Sequence, residues 1–318
     1  MKQVSRVRAA LGWLPLGLLA ALVATGWTVF LRGGFRSILA WLAISTVVPL
    51  VAVVLVLGTI VRTALAPRAT TRRARLAATI VLGAFAAWPA AWQVGLAGIA
   101  FPFDRTTTTP APVVRLPTDA TMRVAWGGDD LAHNRHAMLP DQRWAYDLTV
   151  EPAFVGSKRV EDYGCWGVPV VAPIAAVVHL AHDGEPDQEP GLPREIAKPL
   201  GNHVALRLGG GGYLLLAHLR RGSVVVREGD RVEEGAEIGQ CGNSGHTSEP
   251  HVHVHAQRQD PRGRPINFSE GLPLTFRDHD GPATMPLGGL TVKEGHVVAT
   301  GMVIRHTGAA GRTTRATP

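Results

Sequence analysis

The chain has 318 residues and a formal net charge of +7, which leaves room for one sizeable domain and a further, smaller part. Residues 1–103 contain ten Lys and Arg but no acidic residue and no His, whereas residues 104–318 contain 22 basic residues, 25 acidic residues and all 13 His. The first part therefore carries a net charge of +10 and the second part −3. This separation argues against a nucleic-acid-binding protein, because the part that carries the His residues presents no basic face.

Three uncharged apolar runs fill the first part of the chain: Ala9–Leu31, Ser37–Val61 and Leu76–Phe103. Each run is longer than the roughly 20 residues that an α-helix needs to cross a lipid bilayer. A buried helix bundle of a soluble protein rarely contains apolar runs of this length without a charge. We therefore predict that residues 1–103 form a transmembrane anchor of three helices.

The basic residues that flank these runs predict an orientation. Three precede the first run and five separate the second from the third, but only Arg32 and Arg36 lie between the first and the second. Positively charged loops stay preferentially in the cytoplasm. We therefore expect a cytoplasmic N-terminus and an extracytoplasmic location for everything after Phe103. A cleaved signal peptide is an alternative for the first run alone, but the two further runs favour a retained anchor.

Composition divides the rest of the chain into three parts. Residues 104–118 are rich in Thr and Pro, which is typical of an extended linker. Residues 119–307 contain short β-branched segments between Gly and Pro residues and no long amphipathic helix, which predicts a mostly antiparallel β domain. Residues 308–318 are small and basic and predict a disordered tail. The predicted strand segments are Val168–Val171, Ala175–Leu180, His203–Leu208, Tyr213–His218, Ser223–Val226 and His251–Ala256.

The segment His251–Ala256 alternates His and Val, which is the period of a β-strand. Side chains two residues apart on a strand lie on the same face, so His251, His253 and His255 are expected to point the same way. Imidazole is the commonest metal ligand in proteins and transfers protons near neutral pH. A half-exposed strand with a polar His face is the simpler explanation, but three alternating His residues favour the core of a metal site.

Residues elsewhere in the domain can join this strand. His136 lies in a polar loop, and Asp147 follows within a segment of strand-like alternation. Taken singly, each is more often a surface or turn residue. His218 ends the apolar run that begins at Tyr213, so an ionisable group is carried into or beside a core, which is costly unless the group is paired or functional.

Four segments together resemble the lysostaphin-type zinc endopeptidases, a bacterial family that cleaves peptide bonds in peptidoglycan. The resemblance covers roughly residues 113–273, and its order along the chain makes it specific. The segments are Asn-Arg-His at 134–136 with Ala-Tyr-Asp-Leu at 145–148, Gly-Asn-His-Val at 201–204, the run at 213–219 that ends in Ala-His-Leu, and Gly-Gln-Cys-Gly-Asn-Ser-Gly at 239–245 followed by Pro-His-Val-His at 250–253.

The resemblance implies the fold, the metal and the residue roles. The fold is the duplicated hybrid motif of lysostaphin-type peptidases, and the cofactor is Zn²⁺. The implied metal ligands are His136, Asp147 and His253, and the implied catalytic residues are His218 and His251. Possible substrate-binding residues are His203, Asn243 and His246, whereas His255 is expected to flank the cleft.

The sequence also departs from the family pattern. Ten residues separate His136 from Asp147, where many members have three, and the long-loop branch that this spacing resembles carries an aromatic residue in place of Arg135. His133 is an alternative ligand; His136 is preferred because it follows Asn134. Ala176 lies where Gly is common, in a turn.

The resemblance implies a membrane-anchored zinc metalloendopeptidase that acts on peptidoglycan peptides, with a regulatory partner that the sequence does not identify. One alternative is a non-enzymatic wall-binding or hydrolase-activator module with a vestigial metal site. Another is a sugar-transport phosphocarrier, whose β fold is similar, although an Asp ligand and an outside location argue against it. Cys165 and Cys241 can form a disulfide in an extracytoplasmic domain or remain partly buried thiols, and their positions in the sequence do not decide which.

Overall fold

The computed structural model describes residues 12–65, 70–191, 193, 195, 197–265 and 267–308. The chain divides into two compact units, Met1–Pro102 and Phe103–Pro318. The basic residues that precede the first apolar run, Arg68 in the loop after the second run, and all but the first residue of the predicted tail lie outside the described residues.

The first unit is α-helical. Helix α1 spans Leu14–Leu31, α2 spans Phe35–Ala64 with a π-helical turn at Ala43–Val47, and α3 spans Thr70–Ala87 and continues as a 3₁₀ helix over Trp88–Val94. By length and composition, three helices in the described part of the chain can cross a membrane. The third helix ends before the predicted limit at Phe103, because Gly95 adopts a left-handed conformation with φ of 69° that ends the helix.

Aromatic rings and a polar contact hold the helical unit together. Trp27 stacks on Trp88 with ring centroids 5.9 Å apart, and Trp92 contacts Trp27 edge-on at the same separation. Within the π-helical turn, Ser45 is buried and accepts a hydrogen bond of 2.7 Å from the Gln93 side chain. This hydrogen bond links the second helix to the third, and its buried Ser45 end is a polar group that needs a partner.

The second unit is built from short strands around one antiparallel sheet. The sheet has the strand order β15–β2–β3–β10–β7–β6–β5–β8, and β11 also pairs with β10. Every pairing within this sheet is antiparallel. The strands are β1 Val113–Val114, β2 Met122–Trp126, β3 Tyr146–Thr149, β4 Pro169–Val171, β5 Ala176–His182, β6 Asn202–Arg207, β7 Tyr213–Leu219, β8 Arg231–Val232, β9 Glu237–Gln240, β10 Val252–Gln257, β11 Gly271–Leu272, β12 Thr275–Phe276, β13 Leu290–Lys293, β14 His296–Ala299 and β15 Val303–Ile304.

The predicted fold class, three apolar helices followed by a mostly antiparallel β domain, is confirmed. The core of the β domain lies on the face of the sheet that carries Val252 and Val254, which are 1% and 0% exposed. One predicted strand is wrong. Residues 223–226 form no strand: the Val225 amide donates to the Ile238 carbonyl, but the Val224 amide donates to the Asp183 carboxylate and the Ser223 amide to the Arg220 carbonyl.

The stretch predicted as a linker, residues 104–118, packs against the domain at its end. Strand β1 pairs in parallel with β12, and Val114 and Leu116 are fully buried. The Thr-rich part that precedes β1 forms turns in which Asp104 accepts hydrogen bonds from the Thr106 amide and hydroxyl. The buried apolar residues explain the difference, since most of the Thr and Pro residues that predicted a linker precede β1.

Candidate metal centre

Strand β10 lies inside the sheet, between β3 and β7, and its register places the site. His253 is the direct cross-strand partner of Asp147 on β3 and of Ala217 on β7. The alternation of the strand puts His251, His253 and His255 on the face opposite the core valines, as predicted. All three imidazoles are nevertheless buried. A buried row of imidazoles beside a carboxylate is costly to desolvate, which indicates a functional arrangement.

Asp147 is the common partner of three imidazoles. Its Oδ2 lies 2.9 Å from Nε2 of His136, and its Oδ1 lies 2.8 Å from Nδ1 of His253. The Nε2 atom of His251 lies 3.4 Å from the same Oδ1. The carboxylate on β3 is thus contacted by one imidazole from the loop before it and by two from the start of the neighbouring strand β10.

Asn134 positions His136. Its Oδ1 accepts a hydrogen bond from the His136 amide and caps the 3₁₀ helix Arg135–Met138. Its Nδ2 donates to the carbonyls of Gly128 and Ala145, so the loop is fastened to the segment that leads into Asp147. His133, the alternative ligand in the sequence, instead pairs with Asp130 through Nδ1 at 2.9 Å and is half-exposed.

His218 is the penultimate residue of β7 and has an unusual backbone conformation. Its φ of 61° is left-handed, and its amide donates to the Leu200 carbonyl, away from the strand ladder. The imidazole Nδ1 donates to the Ser244 carbonyl at 2.8 Å. The ring centroid thereby lies 4.8 Å from that of His251 and 5.5 Å from that of His253.

A tight loop supplies the carbonyl that holds His218. Gly245 has φ of 85°, and a Cβ atom at this position would lie 2.4 Å from the Gly201 nitrogen, so only glycine fits. The Ser244 hydroxyl donates to the Leu219 carbonyl and accepts from the Asn202 amide. A disulfide between Cys165 and Cys241 fastens the start of this loop, which decides the question that the sequence left open.

Charge in the site centres on the carboxylate. Burial alone raises the pKa of Asp147, but His136 and His251 outweigh it and hold this pKa well below its usual range. Burial lowers the pKa of His251, but the Asp147 carboxylate reverses the effect and the net shift is upward. Burial lowers the pKa of His218 well below its usual range, and it also lowers the pKa of His253. The site is therefore an anionic carboxylate beside two imidazoles that favour their neutral form, His218 and His253, and one that favours its protonated form, His251.

Two overlapping groups of side chains can hold a metal ion among the residues that the structure describes. One is His136, Asp147 and His253; the other is His218, His251 and His253. In each, the ligand atoms lie within 4.8 Å of one another. The first group fits a catalytic zinc ion better, because two imidazoles and one carboxylate leave a fourth position open and the carboxylate offsets part of the charge.

The three possible substrate-binding residues are placed differently. Nδ1 of His203 donates to the Gly201 carbonyl at 2.7 Å, and its ring lines a cavity of about 510 Å³ together with His255. His246 is exposed, with Nδ1 3.0 Å from the Glu195 carbonyl. Asn243 is fully buried: its Oδ1 accepts from the Thr247 hydroxyl. The Nδ2 of Asn243 donates to the Gln188 carbonyl, so the side chain is used within the loop.

The sequence analysis missed two residues that support the site. Gln257 continues the alternation of the His strand and contacts His255, with 3.2 Å between Oε1 and Nε2. The carbonyl of Glu249, two residues before His251, accepts a hydrogen bond of 2.7 Å from Nδ1 of that His. Both positions continue the alternation of the three His residues: one lies two residues before His251, and the other lies two residues after His255.

The model of peptidase family M23 matches residues 161–268. This stretch contains His218, His251 and His253, and it begins after His136 and Asp147. Over 142 residues the chain is 28% identical to the peptidoglycan DD-endopeptidase ShyA of Vibrio cholerae, a match that covers 44% of this chain and 30% of that relative. The chain thus spans about a third of the length of that curated relative.

The solved structures that match part of the chain include the catalytic domain of the antimicrobial peptidase lysostaphin from Staphylococcus simulans. That match has 18% identity and a TM-score of 0.29, and it covers 47% of this chain and 86% of the other. A zinc containing peptidase from Vibrio cholerae matches with 15% identity and a TM-score of 0.31, over 51% of this chain and 40% of the other.

Proposed function

Because residues 161–268 carry a peptidase family M23 domain, we propose that this protein is a membrane-anchored zinc metalloendopeptidase that hydrolyses peptide bonds in peptidoglycan. The observation that supports the proposal most strongly is the convergence of three imidazoles on one partly buried carboxylate, with a fourth imidazole beside them. His136 and His253 contact Asp147 directly, and His251 and His218 lie beside them. Ligands and proton-transfer groups are therefore adjacent, as metal-assisted hydrolysis requires.

In this proposal His136, Asp147 and His253 hold the zinc ion. When zinc is bound, it polarises the scissile carbonyl and activates a water molecule as nucleophile. The residues reach the site from a capped loop and from two paired strands, so their separation is set by the backbone. Such positioning limits the motion that a bound ion or substrate would otherwise have to restrain.

His251 and His218 transfer protons in the proposed mechanism. Nδ1 of His251 faces the Glu249 carbonyl, and Nδ1 of His218 faces the Ser244 carbonyl. A carbonyl only accepts hydrogen bonds, so each Nδ1 carries a proton and Nε2 is the nitrogen that gains or loses one. In this proposal His218, whose burial favours the neutral ring, takes a proton from water, and His251, which the Asp147 carboxylate favours in its protonated form, gives one to the leaving amine.

The first unit is proposed to anchor the enzyme, with the N-terminus in the cytoplasm and the β domain outside. Three described helices have the length and apolarity to cross a bilayer. The Cys165–Cys241 disulfide supports an oxidising, extracytoplasmic location for the domain. We retain the division into an anchor at 1–103, a linker at 104–118, a peptidase domain at 119–307 and a disordered tail at 308–318 as a proposal, with the end of the linker packed on the domain. The proposed partners are peptidoglycan peptides and the lipid bilayer.

The test separates ligands from proton-transfer groups by measuring bound zinc and turnover of peptidoglycan peptides on the same proteins. Asp147→Ala and His253→Ala each remove a ligand, so zinc content and hydrolysis should both collapse. His251→Ala and His218→Ala leave three ligands, so zinc should stay near one per chain while hydrolysis falls by about 10²–10⁴-fold.

His136→Ala and His133→Ala form a matched pair for the loop. The two residues lie three positions apart, but only His136 contacts Asp147. Zinc and turnover should be lost in the first variant and retained in the second. Loss of zinc from His251→Ala with retention in His253→Ala would reverse the assignment of ligands. An unchanged protein that binds zinc but hydrolyses no wall peptide would favour the non-enzymatic module.

A further inference from the structure

The candidate metal ligand His253 is the first of three buried side chains that hydrogen bonds join in a row, followed by His255 and Gln257. Nε2 of His253 is 2.9 Å from Nδ1 of His255, and Nε2 of His255 is 3.2 Å from Oε1 of Gln257. Nε2 of Gln257 donates to the backbone carbonyl of Gln259 at 2.8 Å. The row therefore runs from the metal centre along β10 and ends on a main-chain group.

The carbonyl at the end of the row fixes the direction of every hydrogen bond in it. Because the Gln259 carbonyl only accepts, the amide group of Gln257 points its nitrogen there and its oxygen towards His255. That oxygen only accepts as well, so Nε2 of His255 carries a proton. The other ring nitrogen, Nδ1, faces Nε2 of His253 at 2.9 Å and, in the tautomer that carries its proton on Nε2, offers a lone pair to that neighbour.

The lone pair of His255 in turn determines the state of His253. Nε2 of His253 must donate to it, and the neutral ring of His253 then carries its lone pair on Nδ1. This Nδ1 faces Oδ1 of Asp147 at 2.8 Å. Two acceptors at this separation repel one another unless a cation lies between them or beside them, so the row prepares the pair to receive a positive ion.

We propose that His255 is a positioning residue that, supported by Gln257, holds His253 in the tautomer whose Nδ1 lone pair is available to the metal. The inference rests on the proposed function, since it concerns the zinc ligand set. It assigns a role to the third His of the strand, which contacts neither Asp147 nor the two proton-transfer residues within the described contacts. A hydrogen bond to the far nitrogen of a metal-binding His orients the ring and strengthens the ligand.

The test is the affinity of the purified full chain for Zn²⁺, measured by competition with a chromophoric chelator. His255→Phe keeps a flat ring but offers His253 no acceptor, so binding should weaken by about 10–100-fold. His255→Gln can accept from His253 and donate to Gln257, so its affinity should stay close to that of the unchanged protein. Melting curves of the metal-free variants show whether each one folds.

Two further variants control the comparison. His179→Phe makes the same change at another buried His, whose ring nitrogens contact Asp260 and Arg207 and not the metal centre. Zinc affinity should be unchanged in it. Gln257→Leu leaves His255 in place but removes the acceptor that keeps the proton on its Nε2, so the affinity for zinc should also fall, by a smaller factor than in His255→Phe. If His255→Phe does not fold, the zinc affinity of Gln257→Leu tests the inference in its place.

The outcomes separate the inference from the proposed function. Equal affinity in His255→Phe and the unchanged protein would overturn the inference and leave the zinc peptidase proposal standing. An equal loss in His255→Phe and His255→Gln would assign His255 a packing role only and would also overturn the inference. If the unchanged protein binds no zinc, both the inference and the proposed function fail.

Discussion

Glu249 is a buried carboxylate whose two oxygens each lie 3.2 Å from the Phe154 amide nitrogen, so it ties a loop to the approach of the His strand. Burial raises its pKa from 4.5 to about 7. The folded state therefore binds the proton more tightly than the unfolded state does. The protonated carboxyl therefore leaves the free energy of unfolding at its full value below about pH 4.5. That free energy then falls as the pH rises, until the carboxyl is ionised in the folded state above about pH 7.

Glu249→Gln should remove this pH dependence, because the amide oxygen still accepts from Phe154 but cannot ionise. Relative to the unchanged protein, the variant should gain unfolding free energy as the pH rises from 5 to 8, by up to roughly 3 kcal/mol. The measurement is the unfolding of both metal-free proteins across that range. As a control, Glu161→Gln removes an exposed carboxylate, and the difference in unfolding free energy between this variant and the unchanged protein should not change with pH. A flat difference for Glu249→Gln as well would contradict the prediction.

At the level of single residues, local periodicity predicted part of the site and tertiary packing decided the rest. The alternation of His and Val predicted that His251, His253 and His255 share a face. The preference for His136 over His133 rested only on its place after Asn134, and the contact with Asp147 depends on how the Asn134 cap turns the His136 side chain. Asn243 lies in a loop whose Gly, Asn and Ser residues are typical of a binding site, yet its side chain is buried. Its amide group bonds to the Gln188 carbonyl and the Thr247 hydroxyl.

At the level of elements, the disulfide joins two loops that hold the site. Cys165 and Cys241 are buried and separated by 76 residues, and the residue after Cys241 donates its amide to the His218 carbonyl. Closing a loop of this length restricts the unfolded chain and contributes about 4 kcal/mol in the chain-entropy model.

The double variant Cys165→Ala, Cys241→Ala should therefore melt roughly 10 °C below the unchanged protein. Ala is used because both positions are buried and a hydroxyl there would lack a partner. A reductant should lower the melting temperature of the unchanged protein and leave that of the double variant where it is. Equal melting temperatures with and without the disulfide would show that the two loops are held by their other contacts.

Strand prediction succeeded where segments are long and buried, as in β5, β6, β7 and β10. It failed for residues 223–226, whose β-branched side chains have the right composition but whose backbone bonds to the neighbouring strand β9 only at Val225 among the described contacts. Strands of two residues, such as β1 and β8, are defined by their pairing with another strand and are too short to show an alternating pattern in the sequence. The pairing of β3 with β10, which creates the site, joins residues 106 positions apart and is not visible in any local window.

For the whole molecule, the distribution of basic residues predicts the orientation in the membrane. A reporter enzyme that is active only outside the cytoplasm should be active when fused after Thr118, beyond the third apolar helix. The same reporter fused after Arg68, between the second and third apolar runs, should be inactive. Activity in the Arg68 fusion together with inactivity in the Thr118 fusion would place the β domain in the cytoplasm, away from peptidoglycan.

The central position of β10 also determines when the site can first exist during biosynthesis. Asp147 has been made long before its partner on β10, because 106 residues separate it from His253. Until that strand emerges and inserts between β3 and β7, the carboxylate has at most the loop His as a neighbour. An incomplete chain therefore holds no assembled centre, and any hydrolytic activity begins only when synthesis has passed the end of β10.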